Sequence, residues 1–282
     1  MIDSHAHLNA SYTAETVGVI LEKFIKAGGK QVIDVTTSAT DIQVSQSIID
    51  AYSHMVSTTI GFHPESCTGD AVIFEQLCKD FHAGFSQLSL LKNVVGVGET
   101  GLDYWYLPTE QDSSSKIIEQ QRQLLTLHIA EAKKHQLPLV IHARGKENHE
   151  YQVIGEIVSL LNQENYNNSA YFHSFGASRK EAKQLLDAGH YLGINGIVTY
   201  SGAKDLVEAL AYIPTDRILL ETDAPFLIPS NCDRSLLQDP KTNEPIGIHA
   251  TAKRIAAIKR IPLEAVIELT SQATKALFAR ML

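Results

Sequence analysis

The alternation of short apolar runs with longer helical patterns is the feature that most constrains this fold. Eight apolar runs are candidate strands, at residues 2–3, 31–36, 57–62, 94–99, 138–142, 170–173, 191–194 and 217–221. Other segments have apolar residues every three or four positions, the pattern of amphipathic helices. They cover residues 14–27, 41–54, 72–90, 116–135, 153–161, 179–188, 204–211, 250–259 and 263–279. Strict alternation over most of a chain is typical of a (β/α)8 TIM barrel.

A doubly wound open sheet alternates in the same way, so the choice needs a second observation. Dinucleotide-binding folds of that kind carry a Gly-rich phosphate turn after the first strand, and this chain has none there. The 282 residues also show no linker, internal repeat or low-complexity tract. We therefore predict one α/β domain over residues 1–282, a (β/α)8 TIM barrel with extra C-terminal helices.

Charge and composition restrict the classes of partner. Acidic residues outnumber basic ones by 32 to 24, a formal net charge of −8, whereas proteins that bind nucleic acid by broad neutralisation are normally basic. A nucleic-acid substrate would therefore need cations concentrated at the site. The sequence has no apolar stretch of about 20 residues, no signal-like N-terminus and no close cysteine pair. We expect a cytoplasmic protein without membrane contact, disulfide framework or obligate protein partner.

Six side chains of metal-ligand type fall at or just beyond predicted strand ends. His5 and His7 end the first strand two residues apart, so both imidazoles point to the same side. The other four close or follow later strands: Glu99, His142, His173 and Asp223. The carboxyl ends of barrel strands converge on one face, where active sites are built. These six residues are therefore predicted to form one metal site.

The number of ligands indicates two ions. Four imidazoles and two carboxylates exceed the four ligands of one tetrahedral ion. Two divalent cations about 3.5–4 Å apart, bridged by a carboxylate and a hydroxide, would use all six. We expect Glu99 to be the bridge, and Asp223 to bind one ion and accept the proton of the attacking water, which makes both catalytic. Nitrogen-rich ligation favours zinc or manganese, and the oxygen ligands also allow magnesium.

Seven short segments, taken together, resemble the TatD-type metal-dependent deoxyribonucleases of the amidohydrolase-like barrel group. They are DSHAHL (residues 3–8), GFHP (61–64), GETGLDY (98–104), HAR (142–144), HSF (173–175), ETDAPF (221–226) and NEP (243–245). The resemblance covers nearly the whole chain, and seven motifs in this order are specific. It implies a TIM barrel, a divalent-metal site made by the same six residues, and hydrolysis of DNA phosphodiester bonds, often as a 3′→5′ exonuclease.

Three residues are candidate substrate contacts. His63 follows the third strand and either donates to a phosphate oxygen or has a structural role in the turn. Arg144 lies two residues beyond His142, where a guanidinium either holds phosphate in a bidentate manner or forms a surface ion pair. Tyr104, in the loop after Glu99, either contacts substrate or packs within that loop. The neighbouring Trp105 and Tyr106 either stack on unpaired bases or, as we expect, fold over their own loop.

Four more residues are expected to support the site: Asp103, Glu221, Asn243 and Glu244. Asp103, in the loop after Glu99, has either this supporting role or a substrate contact. Glu221, two residues before Asp223, is expected to orient ligands or stabilise the strand end. Asn243 and Glu244 are expected to order the long segment at residues 224–247.

The sequence therefore predicts a divalent-metal-dependent deoxyribonuclease that acts through a metal-activated hydroxide, with DNA, or alternatively RNA, as substrate. The first alternative is hydrolysis of a carbonyl substrate, namely a small amide, a lactone or an aminoacyl-tRNA ester, because the same chemistry attacks a carbonyl carbon. The second alternative is a non-catalytic scaffold. A complete set of six ligands argues against it, because a scaffold would not require them.

Overall fold

The computed structural model describes residues 1–12, 14–87, 91–146 and 150–281. Within these ranges the strands are β1 Ile2–Ala6, β2 Gln31–Val35, β3 Val56–Ile60, β4 Val94–Asp103, β5 Leu139–Arg144, β6 Ala170–Phe172, β7 Tyr191–Ile194 and β8 Ile218–Leu220. They pair in parallel in chain order from β1 to β8. A parallel bridge between Ala6 and Ala224 joins β1 to the segment after β8. The predicted barrel is confirmed, and the doubly wound alternative is wrong.

Helices follow the strands and cover the outside of the barrel. They are α1 Leu8–Ser11, α2 Ala14–Lys26, α3 Ala39–Tyr52, α4 Ala71–Ser86, α5 Gln111–His135, α6 Glu150–Gln163, α7 Arg179–Asp187, α8 Lys204–Tyr212, α9 Ile248–Lys259 and α10 Leu263–Leu277. The last two are the predicted C-terminal helices. The end of the helix predicted at 72–90 lies partly outside the described residues, because 88–90 are not among them. Within the described ranges, no helix combines the length and the apolar character needed to span a bilayer.

Two apolar layers hold the barrel together. Val32, Val94 and Leu139 belong to the larger layer, which lies between the strands and the surrounding helices. The smaller layer fills the barrel interior with Ile33, Val35, Val95, Val140, Tyr171, Leu219, Ala273, Leu277 and Phe278. Alternate strand residues supply the two layers, because successive side chains point to opposite faces. The C-terminal end of α10 and Phe278 pack into the interior, and the opposite, carboxyl end of the strands carries the candidate site.

One strand boundary changes how the site is built. Glu99 was predicted to close the fourth strand, but β4 continues to Asp103. After a register shift between Val97 and Thr100, β4 pairs again with β5 up to the pair Asp103 and Arg144. The prediction that Asp103 lies in a loop is therefore wrong, because renewed pairing with β5 keeps this segment in the sheet. Glu99 lies inside the strand, and the loop begins at Tyr104.

Candidate metal centre

Glu99 lies at the centre of a histidine cluster at the mouth of the barrel. Its carboxylate is buried and lies within 3.6 Å of one ring nitrogen from each of five histidines. These are His5, His7, His63, His142 and His173. Oε2 faces His5 Nε2 at 3.4 Å and His7 Nε2 at 3.6 Å. Oε1 faces the other three at 3.4, 2.9 and 2.8 Å, in chain order. The two oxygens therefore face two different groups of imidazoles.

Asp223 completes the side of the cluster that faces Oε2. Its Oδ1 lies 3.5 Å from His7 Nε2 and 3.8 Å from His5 Nε2. The backbone places it there, because Asp223 N donates to His5 O at 2.9 Å and His7 N donates to Ala224 O at 2.7 Å. All six predicted ligands are therefore brought together at the mouth of the barrel, and Asp223 lies where β1 meets the segment after β8.

Hydrogen bonds outside the cluster orient two of the imidazoles. His7 Nδ1 donates to Val35 O at 3.0 Å, so Nε2 is the ring nitrogen that faces the cluster. His142 Nε2 donates to Asp103 Oδ2 at 2.8 Å, and its Nδ1 faces Glu99. Such outer partners fix the tautomer and orientation of metal-binding histidines. The extension of β4 to Asp103 is what positions the second of these partners.

The two central carboxylates are held in their ionised form. Burial alone would raise the pKa of Glu99, but the charges of His173 and His63 and a hydrogen bond from His142 hold it well below its ordinary value. Burial likewise opposes ionisation of Asp223, and a hydrogen bond from His7 lowers its pKa. Ionised carboxylates among imidazoles are the donor set that borderline divalent cations prefer.

The ligand atoms are close enough together to hold cations. Among the residues that the structure describes, three groups have one ligand atom per residue within 4.8 Å of one another: His5, His7 and Glu99; His63, Glu99 and His142; and His5, His173 and Glu221. In addition, Nδ1 of His5 and of His173 is buried without a hydrogen-bond partner in the described part of the chain. Buried polar atoms normally have partners. The residues present therefore fit a divalent-metal site, and Glu99 belongs to two of the three groups.

The predicted substrate contacts have other partners in the structure. His63 joins the cluster, with its ring centroid 4.4 Å from that of His142, while its Nδ1 accepts from Glu65 N at 3.2 Å. Tyr104 is half-buried and donates its hydroxyl proton to Glu156 at 3.0 Å. The guanidinium carbon of Arg144 lies 4.7 Å from the ring centroid of Trp105.

The residues predicted to support the site make buried contacts around it. Glu221 Oε1 accepts from Ser174 N at 2.7 Å and Asn195 Nδ2 at 3.1 Å, and Tyr171 donates to its other oxygen. Burial raises the pKa of Glu221 to about 7. These contacts hold the turn that follows His173.

The last two predicted supporting residues lie in the segment after β8. Asn243 Nδ2 donates to Thr222 O at 3.2 Å, and Glu244 pairs with Lys23 of α2 at 3.4 Å. Tyr12 donates to the backbone oxygen of Asn243. These contacts tie the segment to β8 and to the N-terminal part of the chain.

Sequence reasoning missed two features of the cluster. It did not include His63 among the grouped ligands, although that residue lies three positions after the end of β3, at the same end of the barrel as His173 after β6. It also assigned no role to Asp3, which lies two residues before His5 on the same strand. The buried carboxylate of Asp3 accepts from Thr222 N at 3.0 Å and Thr222 Oγ1 at 2.6 Å. Position on the same strand face as a ligand could have identified it.

Comparisons with known proteins identify the family of this chain. The model of the family described as TatD related DNase matches residues 2–279. YabD of Bacillus subtilis, described as an uncharacterized metal-dependent hydrolase, is 30% identical over 279 residues, covering 99% of this chain and 98% of its own. TATDN3 of Mus musculus, described as a putative deoxyribonuclease, is 27% identical, and the match covers 100% of this chain and 89% of TATDN3.

Solved structures share the fold. The TatD homologue YJJV of Escherichia coli superposes with a TM-score of 0.80 at 21% identity, covering 99% of this chain and 98% of its own. The lactonase Lmo2620 of Listeria monocytogenes superposes with a TM-score of 0.62 at 15% identity, covering 99% of this chain and 93% of its own. The family match over nearly the whole chain, together with the cluster around Glu99, shows that this chain belongs to the TatD-related DNase family of metal-dependent hydrolases.

Proposed function

We propose that this protein is a divalent-metal-dependent deoxyribonuclease that removes nucleotides from the 3′ end of a DNA strand. The observation that carries the proposal is the two-sided environment of Glu99, with His5 and His7 at one oxygen and His142 and His173 at the other. A carboxylate between two ligand groups suits a bridge between two cations. Two-cation sites are common in phosphatases, nucleases and polymerases.

The residues have distinct tasks in this proposal. When bound, two cations (zinc, manganese or magnesium) would lower the pKa of a water so that hydroxide is available, and would offset the phosphate charge. Asp223 lies beside His5 and His7 and is ionised, so its carboxylate can orient the attacking water and accept its proton. Glu99 keeps the two ligand groups together. Asp103 holds the His142 ring by its Nε2–H.

Local cations also explain how an acidic protein could act on DNA. The chain carries a net charge of −8, so general electrostatic attraction to a duplex is unfavourable. Binding would involve few phosphates, and its dependence on salt should be shallow. A strand end fits the mouth of a barrel better than an intact duplex, which favours exonuclease action. An RNA strand end is the other candidate nucleic-acid substrate.

The alternative is hydrolysis of a small amide, a lactone or an aminoacyl-tRNA ester by the same cluster. The lactonase of Listeria monocytogenes shares the barrel, but at 15% identity the likeness extends to the fold alone. The two functions differ in their products, because a nuclease releases a free nucleotide and a carbonyl hydrolase releases a carboxylic acid.

The test uses protein stripped with a chelator and reloaded separately with magnesium, manganese or zinc. Single-stranded DNA labelled at the 3′ or the 5′ end reports which end loses nucleotides. Glu99→Gln and Asp223→Asn remove the central carboxylates, and Glu119→Gln on the exposed face of α5 is the matched control. Bound metal per chain is counted by mass spectrometry for each variant.

We expect metal-dependent loss of the 3′ label in the wild type and in Glu119→Gln, and no loss in the two site variants. Glu99→Gln should also bind less metal per chain. Absence of nucleotide release with all three metals, from protein that holds two ions, would overturn the nuclease assignment and direct the search to carbonyl substrates.

A further inference from the structure

Two exposed aromatic side chains follow β4 beside the metal centre. Trp105 is 41% exposed and Tyr106 is 69% exposed. The guanidinium carbon of Arg144 lies 4.7 Å from the centroid of the Trp105 ring and 5.3 Å from that of Tyr106. One cation therefore contacts both rings and holds them as a unit, while much of their surface stays open to solvent. We call Trp105, Tyr106 and Arg144 the aromatic platform.

The aromatic platform is tied directly to the metal centre. Asp103 accepts from His142 Nε2 at 2.8 Å through one oxygen and from Trp105 N at 2.8 Å through the other. The same residue pairs in register with Arg144 of β5, and Tyr104 N donates to Arg144 O at 2.8 Å. One residue, Asp103, thus contacts both the ring of a predicted ligand and the backbone of the first platform residue.

A third exposed aromatic side chain lies across the barrel mouth. Phe226 is 54% exposed, and its ring centroid lies 6.0 Å from that of His7. It follows β8, which is four strands away from β4 in the ring of eight. Flat apolar surfaces therefore flank the cluster from opposite sides.

We propose that the aromatic platform stacks an unpaired nucleobase of a single strand next to the phosphodiester bond at the metal centre. This inference rests on the proposed nuclease function and specifies its substrate as an unpaired strand. Every base has a flat face, so stacking on aromatic rings is tolerant of sequence. Arg144 adds positive charge beside an approaching strand in a protein with a net charge of −8. In a duplex the bases are already paired and stacked, so the platform selects frayed or single-stranded ends.

The chain has a single tryptophan, so its fluorescence reports on Trp105 alone. The metal-loaded protein is titrated with short single strands whose phosphorothioate linkages resist hydrolysis. A strand of equal length and charge made of abasic residues is the matched ligand control. DNA and RNA strands are compared in separate titrations, and a blunt duplex of the same sequence is a further ligand.

Variants test the platform directly. Trp105→Leu and Tyr106→Leu are measured by the fluorescence anisotropy of a labelled strand, which does not depend on tryptophan. Tyr212→Leu is the matched control, because Tyr212 is 36% exposed and lies 4.5 Å from the guanidinium of Arg179 in the outer helix layer. Since stacking of one base contributes about 1–3 kcal/mol, each platform variant should weaken binding of the base-bearing strand roughly 5- to 150-fold. Tyr212→Leu should leave it unchanged.

The proposal is supported if base-bearing strands quench Trp105 and bind more tightly than abasic strands, and if the platform variants remove that difference. The proposal is overturned if base-bearing and abasic strands bind with equal affinity. It is also overturned if the platform variants weaken binding of the two strands to the same extent. Release of nucleotides by the wild type is scored separately. Release without base-dependent binding rejects the platform and keeps the nuclease; base-dependent binding without release rejects the nuclease and keeps the platform.

Discussion

Asp103→Ala removes the hydrogen bond that orients His142. In the native protein, Asp103 Oδ2 accepts from His142 Nε2 at 2.8 Å, and His142 Nδ1 then lies 2.9 Å from Glu99 Oε1. Although burial opposes it, the hydrogen bond from His142 lowers the pKa of Asp103, so the acceptor is ionised. Without the hydrogen bond to Asp103, the His142 ring can rotate away from the cluster.

The size of the effect follows from that single contact. A hydrogen bond to a charged group contributes about 1.5–3 kcal/mol net, which corresponds to roughly a 10- to 150-fold change in an equilibrium constant. Outer partners of metal-binding histidines typically change metal affinity by about 10- to 100-fold. We therefore expect Asp103→Ala to weaken metal binding about 10- to 100-fold, and Asp103→Asn to have a smaller effect because its amide oxygen can still accept.

The assay is a competitive titration with a chelator of known metal affinity. Asp239→Ala is the matched control, because Asp239 Oδ1 accepts from Lys241 N at 2.9 Å, as Asp103 Oδ1 accepts from Trp105 N at 2.8 Å, but in an exposed loop. Unchanged metal affinity in Asp103→Ala, or an equal loss in Asp239→Ala, would refute the reasoning.

Four further predictions concern stability and backbone geometry. Burial lowers the pKa of His128 from 6.5 to about 4. Between these two pH values the unfolded chain binds a proton that the folded chain does not. Neutral His128 therefore contributes about 3 kcal/mol to the free energy of unfolding above pH 6.5, and this contribution should be lost as the pH falls towards 4. The free energy of unfolding, measured with urea at several pH values, should fall more steeply with decreasing pH for the wild type than for His128→Gln. Equal slopes against pH would contradict this prediction. A Cβ at Gly101, whose φ is +144°, would lie 1.9 Å from His142 O; Gly101→Ala should therefore lower the unfolding midpoint and weaken metal binding. At Gly155, in α6, a Cβ would meet nothing within 4 Å. Gly155→Ala should therefore raise the free energy of unfolding by about 0.5–1 kcal/mol, because glycine is destabilising in a helix relative to alanine. Phe278→Ala should cost about 3–5 kcal/mol of unfolding free energy without changing metal affinity, because Phe278 packs at the other end of the barrel; a large loss of metal affinity would count against that separation.

Much of the architecture could be predicted because local patterns report it. The strands of a barrel are buried on both faces, so they form near-continuous apolar runs such as Tyr191–Ile194 and Ile218–Leu220. Strand ends are less certain, since polar and glycine residues occur where a site is built. Glu99 was predicted to end β4, whereas pairing with β5 continues the strand to Asp103.

The sequence by itself determined the alternation of strands and helices and the identity of the chemical groups. His5, Glu99 and Asp223 could be selected because parallel strands bring their carboxyl ends to one face. The tertiary structure decided which atoms meet. It brought His63 to Glu99 Oε1, linked Asp103 to both His142 and Trp105, and closed β1 against the segment after β8. The physical reason is that these contacts depend on strand register and ring orientation between residues distant in the chain, which hydrophobic periodicity does not encode.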